Sequence, residues 1–311
     1  MPQAEALLTL TQLPADLRAA LEGEGFTLRS IAEEPPGPLP GWRIAVGSAM
    51  AGCDAATFAR LPDLRLLASM GTGLERIDLD AARARGIAVA NTPDVLTEDT
   101  ADFAIALLYG IARQVVWADR FVRDGRWAKE RPAPSTRLFG KACGVFGLGR
   151  IGAAVARRAQ GIGMRVAWSG PRPKPEAPWP HVPTLAELAE RSDVLVLCCP
   201  GGEATRGVVD AGILRRLGLA GFLVNIARGE VVDEEALVAA LRDGTIRGAA
   251  TDVFRSEPVP DPRLLDLPNL VVAPHYASIT HETRADIIGM ILGAIRGFRA
   301  GTPFHDATRA P

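Results

Sequence analysis

Cysteine, histidine and tyrosine are scarce in this chain, with four, four and two residues among 311. Cys53, Cys143, Cys198 and Cys199 show no metal-ligand spacing, and the last two are adjacent in an apolar run. Neither a metal module nor a disulfide framework is therefore expected, and reduced core thiols in a cytoplasmic protein are the plainest reading. An excess of charge is missing as well: 35 basic and 36 acidic side chains leave a net charge of −1. No overall field draws such a chain to nucleic acid or to an anionic membrane, so any anion site has to be local. Long apolar runs are also lacking. The segment "FAIALLYGIA", bounded by Asp102 and Arg113, is too short to span a bilayer and suits a buried helix. The start, "MPQAEALLTLTQLPADL", has Glu5 early and no basic leader, and reads as a strand and turn rather than a signal peptide.

Glycine, at 32 residues, and apolar side chains, at 48%, are plentiful, enough for two domains with their own cores. Short apolar runs recur early: "ALLTLTQL", "FTLRSIA", "WRIAVGSAM", "LRLLASMG" and "IAVANTP". Helical patterns such as "PADLRAALEGEG" and "DLDAARARG" lie between some of them, the second closed by Gly86. This alternation implies parallel strands with crossover helices. The stretch "TEDTADFAIALLYGIARQVVWADRFVRDG" keeps a helical period beyond the usual helix length and predicts one long connector between domains. A second strand series follows in "KACGVFGLG", "RVAWS", "DVLVLCCP", "GFLVNIARG", "GAATDVF" and "NLVVAPH", with "DEEALVAALRDG" as the clearest helix among them. These runs are apolar throughout, as strands covered on both faces should be. The closing "HETRADIIGMILGAIRGFRAG" is helical and is expected to return to the first domain. The Pro-rich "EEPPGPLPG" and "GPRPKPEAPWP" read as loops.

The fold class is thus α/β, with two doubly wound parallel-sheet domains, the second a Rossmann domain inserted in the first. The expected boundaries are 1–95 plus 283–311 for the first domain and 96–282 for the second.

Chemistry enters at "GLGRIG", residues Gly147, Leu148, Gly149, Arg150, Ile151 and Gly152, set between an apolar strand and the helical "AAVARRAQG". In that context the glycines permit a tight turn, close approach of a pyrophosphate to backbone N–H groups, and tight helix-to-strand packing. A glycine-rich turn in some other α/β protein is the competing reading. Three further residues, Arg228, Glu257 and His275, each follow a predicted parallel strand. The carboxyl ends of such strands are where open α/β sheets bind ligands. Singly they read as a surface arginine, a solvated glutamate and a loop histidine; together they make a sensible catalytic set.

The order and spacing of "GTGLERID", "VANTPDVLTEDTADFAIALL", "GLGRIG", "NIARGEVVDEEAL", "TDVFRSEP" and "PHYAS" resemble the D-isomer-specific 2-hydroxyacid dehydrogenases, most closely their glyoxylate/hydroxypyruvate and hydroxyphenylpyruvate reductase branch. The resemblance implies that Arg228 binds a substrate carboxylate, that His275 gives or takes the proton, and that Glu257 orients His275. The physical reading agrees: a guanidinium can grip a carboxylate bidentately, and a protonated imidazole can neutralise charge developing on a carbonyl oxygen. A carboxylate on the other ring nitrogen fixes the tautomer and favours the charged form. By the same resemblance Thr72 and Gly73 offer backbone N–H groups to the substrate. Asp252 matches a neighbour of the nicotinamide carboxamide, Ile226, Ala227 and Ser278 border the cofactor, and Cys199 and Pro200 border its adenosine. Ala277 stands where many relatives have glycine, and Glu75 where aspartate is common.

Cofactor choice is read from "RVAWSGPRPK". About 20 residues past the fingerprint an NAD-binding chain usually offers a carboxylate to the ribose. Here Ser169 and Gly170 stand at that place, followed by Arg172 and Lys174. A glycine removes the repulsion of a 2′-phosphate, a serine can bond it and the cations can neutralise it, so NADPH is the expected cofactor with NAD as the alternative. Pro171 departs from relatives that place arginine there, and a solvated basic loop is the competing reading. The expected partner is a small 2-oxo acid, without nucleic acid, membrane or metal, and the resemblance implies a homodimer. A dinucleotide-binding co-regulator with little turnover, and dehydrogenases of the phosphoglycerate or lactate type, remain as alternatives. Glu257, where formate dehydrogenases usually carry glutamine, argues against formate.

Overall fold

The structure is a computed structural model that describes residues 5 to 309, so the outermost residues of the expected first domain, 1–4 and 310–311, lie outside it. It divides into two compact units, Met1–Leu96 with Thr280–Pro311, and Thr97–Ile279.

The first unit carries the five strands β1 (Glu5–Thr9), β2 (Phe26–Ser30), β3 (Ile44–Ser48), β4 (Leu66–Met70) and β5 (Ala88–Ala90). They form one parallel sheet in the order β2-β1-β3-β4-β5. Adjacent residues of β1 enter opposite cores, because side chains alternate across a strand. Leu7 packs with Leu17, Leu21 and Val46, and Leu8 with Phe58, Leu61 and Val89. The helix His281–Ala300 places Ile291, Ala294 and Ile295 in the first of these cores. The return of the last helix to the first sheet is therefore as expected, and the first unit is discontinuous in sequence.

The second unit holds β6 (Ala142–Phe146), β7 (Arg165–Ser169), β8 (Val194–Leu197), β9 (Phe222–Asn225), β10 (Gly248–Thr251) and β11 (Leu270–Val272). Their order is β11-β10-β9-β8-β6-β7, all parallel. Beyond β7 a single parallel bridge joins Trp168 to His181, closed by Trp168 N–H to the Pro180 carbonyl at 3.0 Å and Val182 N–H to the Trp168 carbonyl at 2.7 Å. This bridge is the third strand of a dinucleotide-binding half reduced to one residue, since it restores the order third-second-first-fourth. The α/β class with two doubly wound sheets is borne out.

One expectation fails. The long helical stretch is two helices, Thr97–Ala112 and Val115–Arg123, bent by 58°. The break is at Gln114, whose left-handed backbone (φ 53°, ψ 38°) cannot continue a right-handed helix. The halves also differ in surroundings: Ala101, Ala104 and Leu108 are core residues, whereas Val115, Val116 and Val122 are exposed. Among the described residues no single helix is long and apolar enough to cross a membrane.

Candidate active site

Strand order in the second sheet reverses between β6 and β8, so their carboxyl ends diverge into the loops at Gly147 and Cys198. Gly147 has φ 94°, and a Cβ there would lie 2.7 Å from the Cys199 backbone N and Cα. A Cβ at Gly152 would collide with the Gly147 carbonyl oxygen. Both positions accordingly require glycine. Gly149 begins the 12-residue helix Arg150–Gly161 with no side-chain cap and open space on its Cβ side. Uncapped N–H groups at a glycine-lined helix start fit a pyrophosphate. Leu148 is buried, whereas Arg150 is exposed.

Ser169, which ends β7, is 2% exposed, and its carbonyl accepts the Gly147 N–H at 2.8 Å. Gly170 is half-buried and Arg172 is exposed. Lys174 differs from a cation waiting on a loop: its Nζ donates to the Leu148 carbonyl at 2.6 Å, tying the basic loop to the glycine fingerprint. The side chain of Trp179 adds a second tie, donating to Gln160 Oε1 at 3.0 Å. A cleft of about 480 Å³ is lined there by Gly149, Arg150, Arg157, Lys174, Glu176 and Trp179, among others.

Arg228, Glu257 and His275 follow β9, β10 and β11, and the structure pairs two of them directly. His275 Nδ1 lies 3.0 Å from Glu257 Oε2, with the His275 side chain 29% and the Glu257 side chain 14% exposed. The second oxygen, Oε1, accepts the Phe254 N–H at 2.9 Å, which fixes the carboxylate. His275 has a left-handed backbone at φ 55°, rare for a side-chain-bearing residue, and is held there from Asp252. The Asp252 carbonyl accepts the His275 N–H at 2.8 Å, and its carboxylate accepts the N–H groups of Tyr276 (2.6 Å) and Ala277 (2.9 Å). Asp252 is 1% exposed, and burial raises its pKa above the ordinary aspartate value despite those bonds. Its two oxygens are thus engaged by the histidine loop.

Arg228 is oriented by Asn225, which sequence reasoning passed over. The Asn225 side chain accepts the Ala227 N–H at 3.0 Å and donates to the Arg228 carbonyl at 3.1 Å. Arg228 Nη1 donates to the Ala227 carbonyl at 2.8 Å. At Gly229 a Cβ would collide with the Phe254 carbonyl group, so this loop packs directly on the one that leads to Glu257. The only available signal was a polar residue ending an otherwise apolar strand in "FLVN". Ile226 and Ala227 are buried, Cys199 is 6% exposed with its thiol pushed up to about 11 by burial, and Pro200 is exposed. Ser278 is half-buried.

In the first unit the loop after β4 carries Thr72 and Gly73. Gly71 N–H donates to Thr92 Oγ1 at 2.9 Å, Thr72 Oγ1 to the Thr92 carbonyl at 3.1 Å, and Asn91 Nδ2 to the Thr72 carbonyl at 2.9 Å.

Residues 105–277 match the family described as D-isomer specific 2-hydroxyacid dehydrogenase, NAD binding domain. The chain is 42% identical over 259 residues to a glyoxylate/hydroxypyruvate reductase of Arabidopsis thaliana, covering 83% of each. It is 46% identical over 257 residues to a glyoxylate reductase of Korarchaeum cryptofilum, covering 80% of this chain and 77% of that one. The structure superimposes with a TM-score of 0.90, at 35% identity and over 98% of this chain and 97% of the other, on an NADPH-dependent glyoxylate/hydroxypyruvate reductase of Sinorhizobium meliloti solved with NADP and malonate.

Proposed function

Because the chain belongs to the D-isomer specific 2-hydroxyacid dehydrogenase family, we propose that it reduces small 2-oxo acids of the glyoxylate and hydroxypyruvate kind to D-2-hydroxy acids, with NADPH as its preferred cofactor. Family membership carries a nicotinamide-dinucleotide-binding domain across residues 105–277. The single observation that carries the chemical reading is the 3.0 Å contact of His275 Nδ1 with a Glu257 carboxylate, itself fixed by a backbone N–H.

In this reading Gly147, Leu148, Gly149, Arg150, Ile151 and Gly152 hold the pyrophosphate. Cys199, Pro200, Ile226, Ala227, Asp252 and Ser278 border the rest of the dinucleotide. The nicotinamide, when bound, supplies the hydride. Arg228 grips the carboxylate of the 2-oxo acid with two charge-assisted bonds and so orients the adjacent carbonyl. Glu257, engaged on Nδ1, directs Nε2 of His275 at the carbonyl oxygen. The imidazolium donates its proton as charge grows on that oxygen, and the reverse transfer serves oxidation. The loop at Thr72 and Gly73 offers backbone N–H groups to the substrate, and residues 1–95 with 283–311 form the substrate-binding domain. Asp252 acts on the histidine loop through its bonds to Tyr276 and Ala277.

The NADPH preference rests on Gly170 and Arg172 in place of a carboxylate. The relative of Sinorhizobium meliloti, NADPH-dependent by its description, supports it. Lys174, bonded to the Leu148 carbonyl, holds the loop and adds positive charge. The protein is taken as cytoplasmic and as a homodimer, and a mass measurement in solution tests the second of these. Initial rates with glyoxylate, hydroxypyruvate, pyruvate and hydroxyphenylpyruvate against NADPH and NADH test the whole reading. Turnover of the first two with NADPH is expected. Cofactor binding without turnover of any 2-oxo acid would favour a co-regulator instead.

A further inference from the structure

The C-terminal segment of the first unit is tied to the substrate loop through a titratable side chain that the proposed reaction does not use. After the helix His281–Ala300, Thr302 N–H bonds back to the Gly297 carbonyl at 2.9 Å, and the chain runs to the edge of the sheet at β5. Its path is set by anchors on both sides of His305. Phe304 meets Phe298 edge to face at 6.5 Å between centroids. Asp306 Oδ1 accepts the Val89 N–H of β5 at 3.1 Å, and Ala307 is 4% exposed. Arg83 Nε donates to the Thr308 carbonyl at 3.1 Å.

Between these anchors His305 Nε2 lies 2.6 Å from Asn91 Oδ1. Asn91 is 6% exposed, and its Nδ2 donates to the Thr72 carbonyl. The carbonyl settles the orientation of the amide, because only the NH₂ end can donate to it. Oδ1 therefore faces His305, and the imidazole has to be the donor. The relay runs in one direction, from His305 N–H to Asn91 and from Asn91 N–H to the Thr72 carbonyl. A carbonyl held on one side of the Thr72–Gly73 peptide bond fixes the direction of the Gly73 N–H on the other, since the unit is planar.

We propose that His305 is a positioning residue that, through Asn91, aims the backbone N–H groups of the Thr72–Gly73 loop at the carboxylate of the 2-oxo acid. The inference rests on the proposed role of that loop in substrate binding. It assigns to the C-terminal segment a share in substrate affinity and none in the proton chemistry.

The test uses the full chain and three variants, with two readouts of which one is independent of catalysis. His305→Ala removes the donor, His305→Gln keeps a donating N–H on a shorter side chain, and Asn91→Asp replaces the donor facing Thr72 by an acceptor at nearly constant size. Hydrogen exchange of the peptide spanning residues 70–74 should quicken in His305→Ala and Asn91→Asp and return toward the original rate in His305→Gln. The KM for glyoxylate should rise about threefold to tenfold in the first two, as the loss of one hydrogen bond implies. The KM for NADPH and kcat should stay within about twofold. Unchanged exchange and unchanged KM in both His305→Ala and Asn91→Asp overturn the inference. Faster exchange with an unchanged glyoxylate KM overturns it through its substrate clause. Absence of glyoxylate turnover in the unaltered protein strikes instead at the proposed function, and the exchange arm then still decides whether the relay holds the loop.

Discussion

Two groups of loops at strand ends of the second unit carry charged side chains of the candidate site, and they are held very differently. After β9, β10 and β11 buried polar side chains hold one another and the backbone. Asn225 and Asp252 are 3% and 1% exposed, Glu257 and His275 engage each other, and backbone N–H groups at Ala227, Phe254, Tyr276 and Ala277 are received by side chains. After β7 the chain passes through Gly170 to an exposed Arg172, and its ties include Lys174 to Leu148, Trp179 to Gln160 and the Gly170 carbonyl to His181. A network of the first kind fixes positions to the tolerance that bond-making requires, whereas a solvated basic loop needs only to supply charge to a phosphate. Substitutions in the first group should therefore be costly and non-additive, and those in the second graded.

The largest effect is expected at His275. Replacement by glutamine removes the proposed proton donor, and we predict a fall in kcat for 2-oxo acid reduction of about 10³-fold with cofactor binding retained. Steady-state rates together with fluorescence titration of NADPH check both halves. Next is Arg228→Lys, where a point charge cannot copy the proposed bidentate grip. The kcat/KM for glyoxylate should fall on the order of 10²-fold while the melting temperature stays close to that of the unaltered protein. Near-unchanged kcat/KM would remove Arg228 from carboxylate recognition.

The looser region is sharpened by Gly170→Asp. A Cβ at this position would meet only the Trp168 ring, at 3.3 Å, so a small adjustment admits the side chain. The new carboxylate should repel a 2′-phosphate and accept ribose hydroxyls, reversing the kcat/KM preference from NADPH toward NADH by about tenfold or more. Arg172→Ala should have the smallest effect, weakening NADPH use about threefold to tenfold with little change for NADH, since an exposed cation is screened by water and salt. Equal or better use of NADH by the unaltered protein would contradict the assignment of the whole loop.

Legibility in the sequence follows the same division. Strands buried along most of their length, such as β3, β4, β8, β9 and β10, announce themselves as apolar runs, and the other strands among the described residues also fall within the quoted runs. Gly147 and Gly152 were readable because close backbone approach leaves only one residue type possible. The break at Gln114 was not, because helical periodicity runs straight through it and a left-handed residue other than glycine leaves no compositional mark. The short helices Ala55–Arg60 and Leu185–Glu190 escaped because six residues make fewer than two turns, too few to set a period without a stop signal such as the Gly86 that closes Leu79–Ala84. Lys174 and Asp252 were visible as charged residues at strand ends, but their partners are a carbonyl and two N–H groups, and backbone atoms look the same under every sequence. Asn225 and Asn91 were missed for the same reason.

If Glu257 and His275 act as one acid/base unit, as proposed, the pH profile of glyoxylate reduction in the unaltered protein and in Glu257→Gln will show it. Reduction consumes a proton from the imidazolium, so kcat/KM should decline as pH rises while oxidation of the 2-hydroxy acid increases. Removing the neighbouring negative charge disfavours the imidazolium, and the declining limb should move to lower pH in Glu257→Gln. Limbs that coincide in the two proteins would contradict the account.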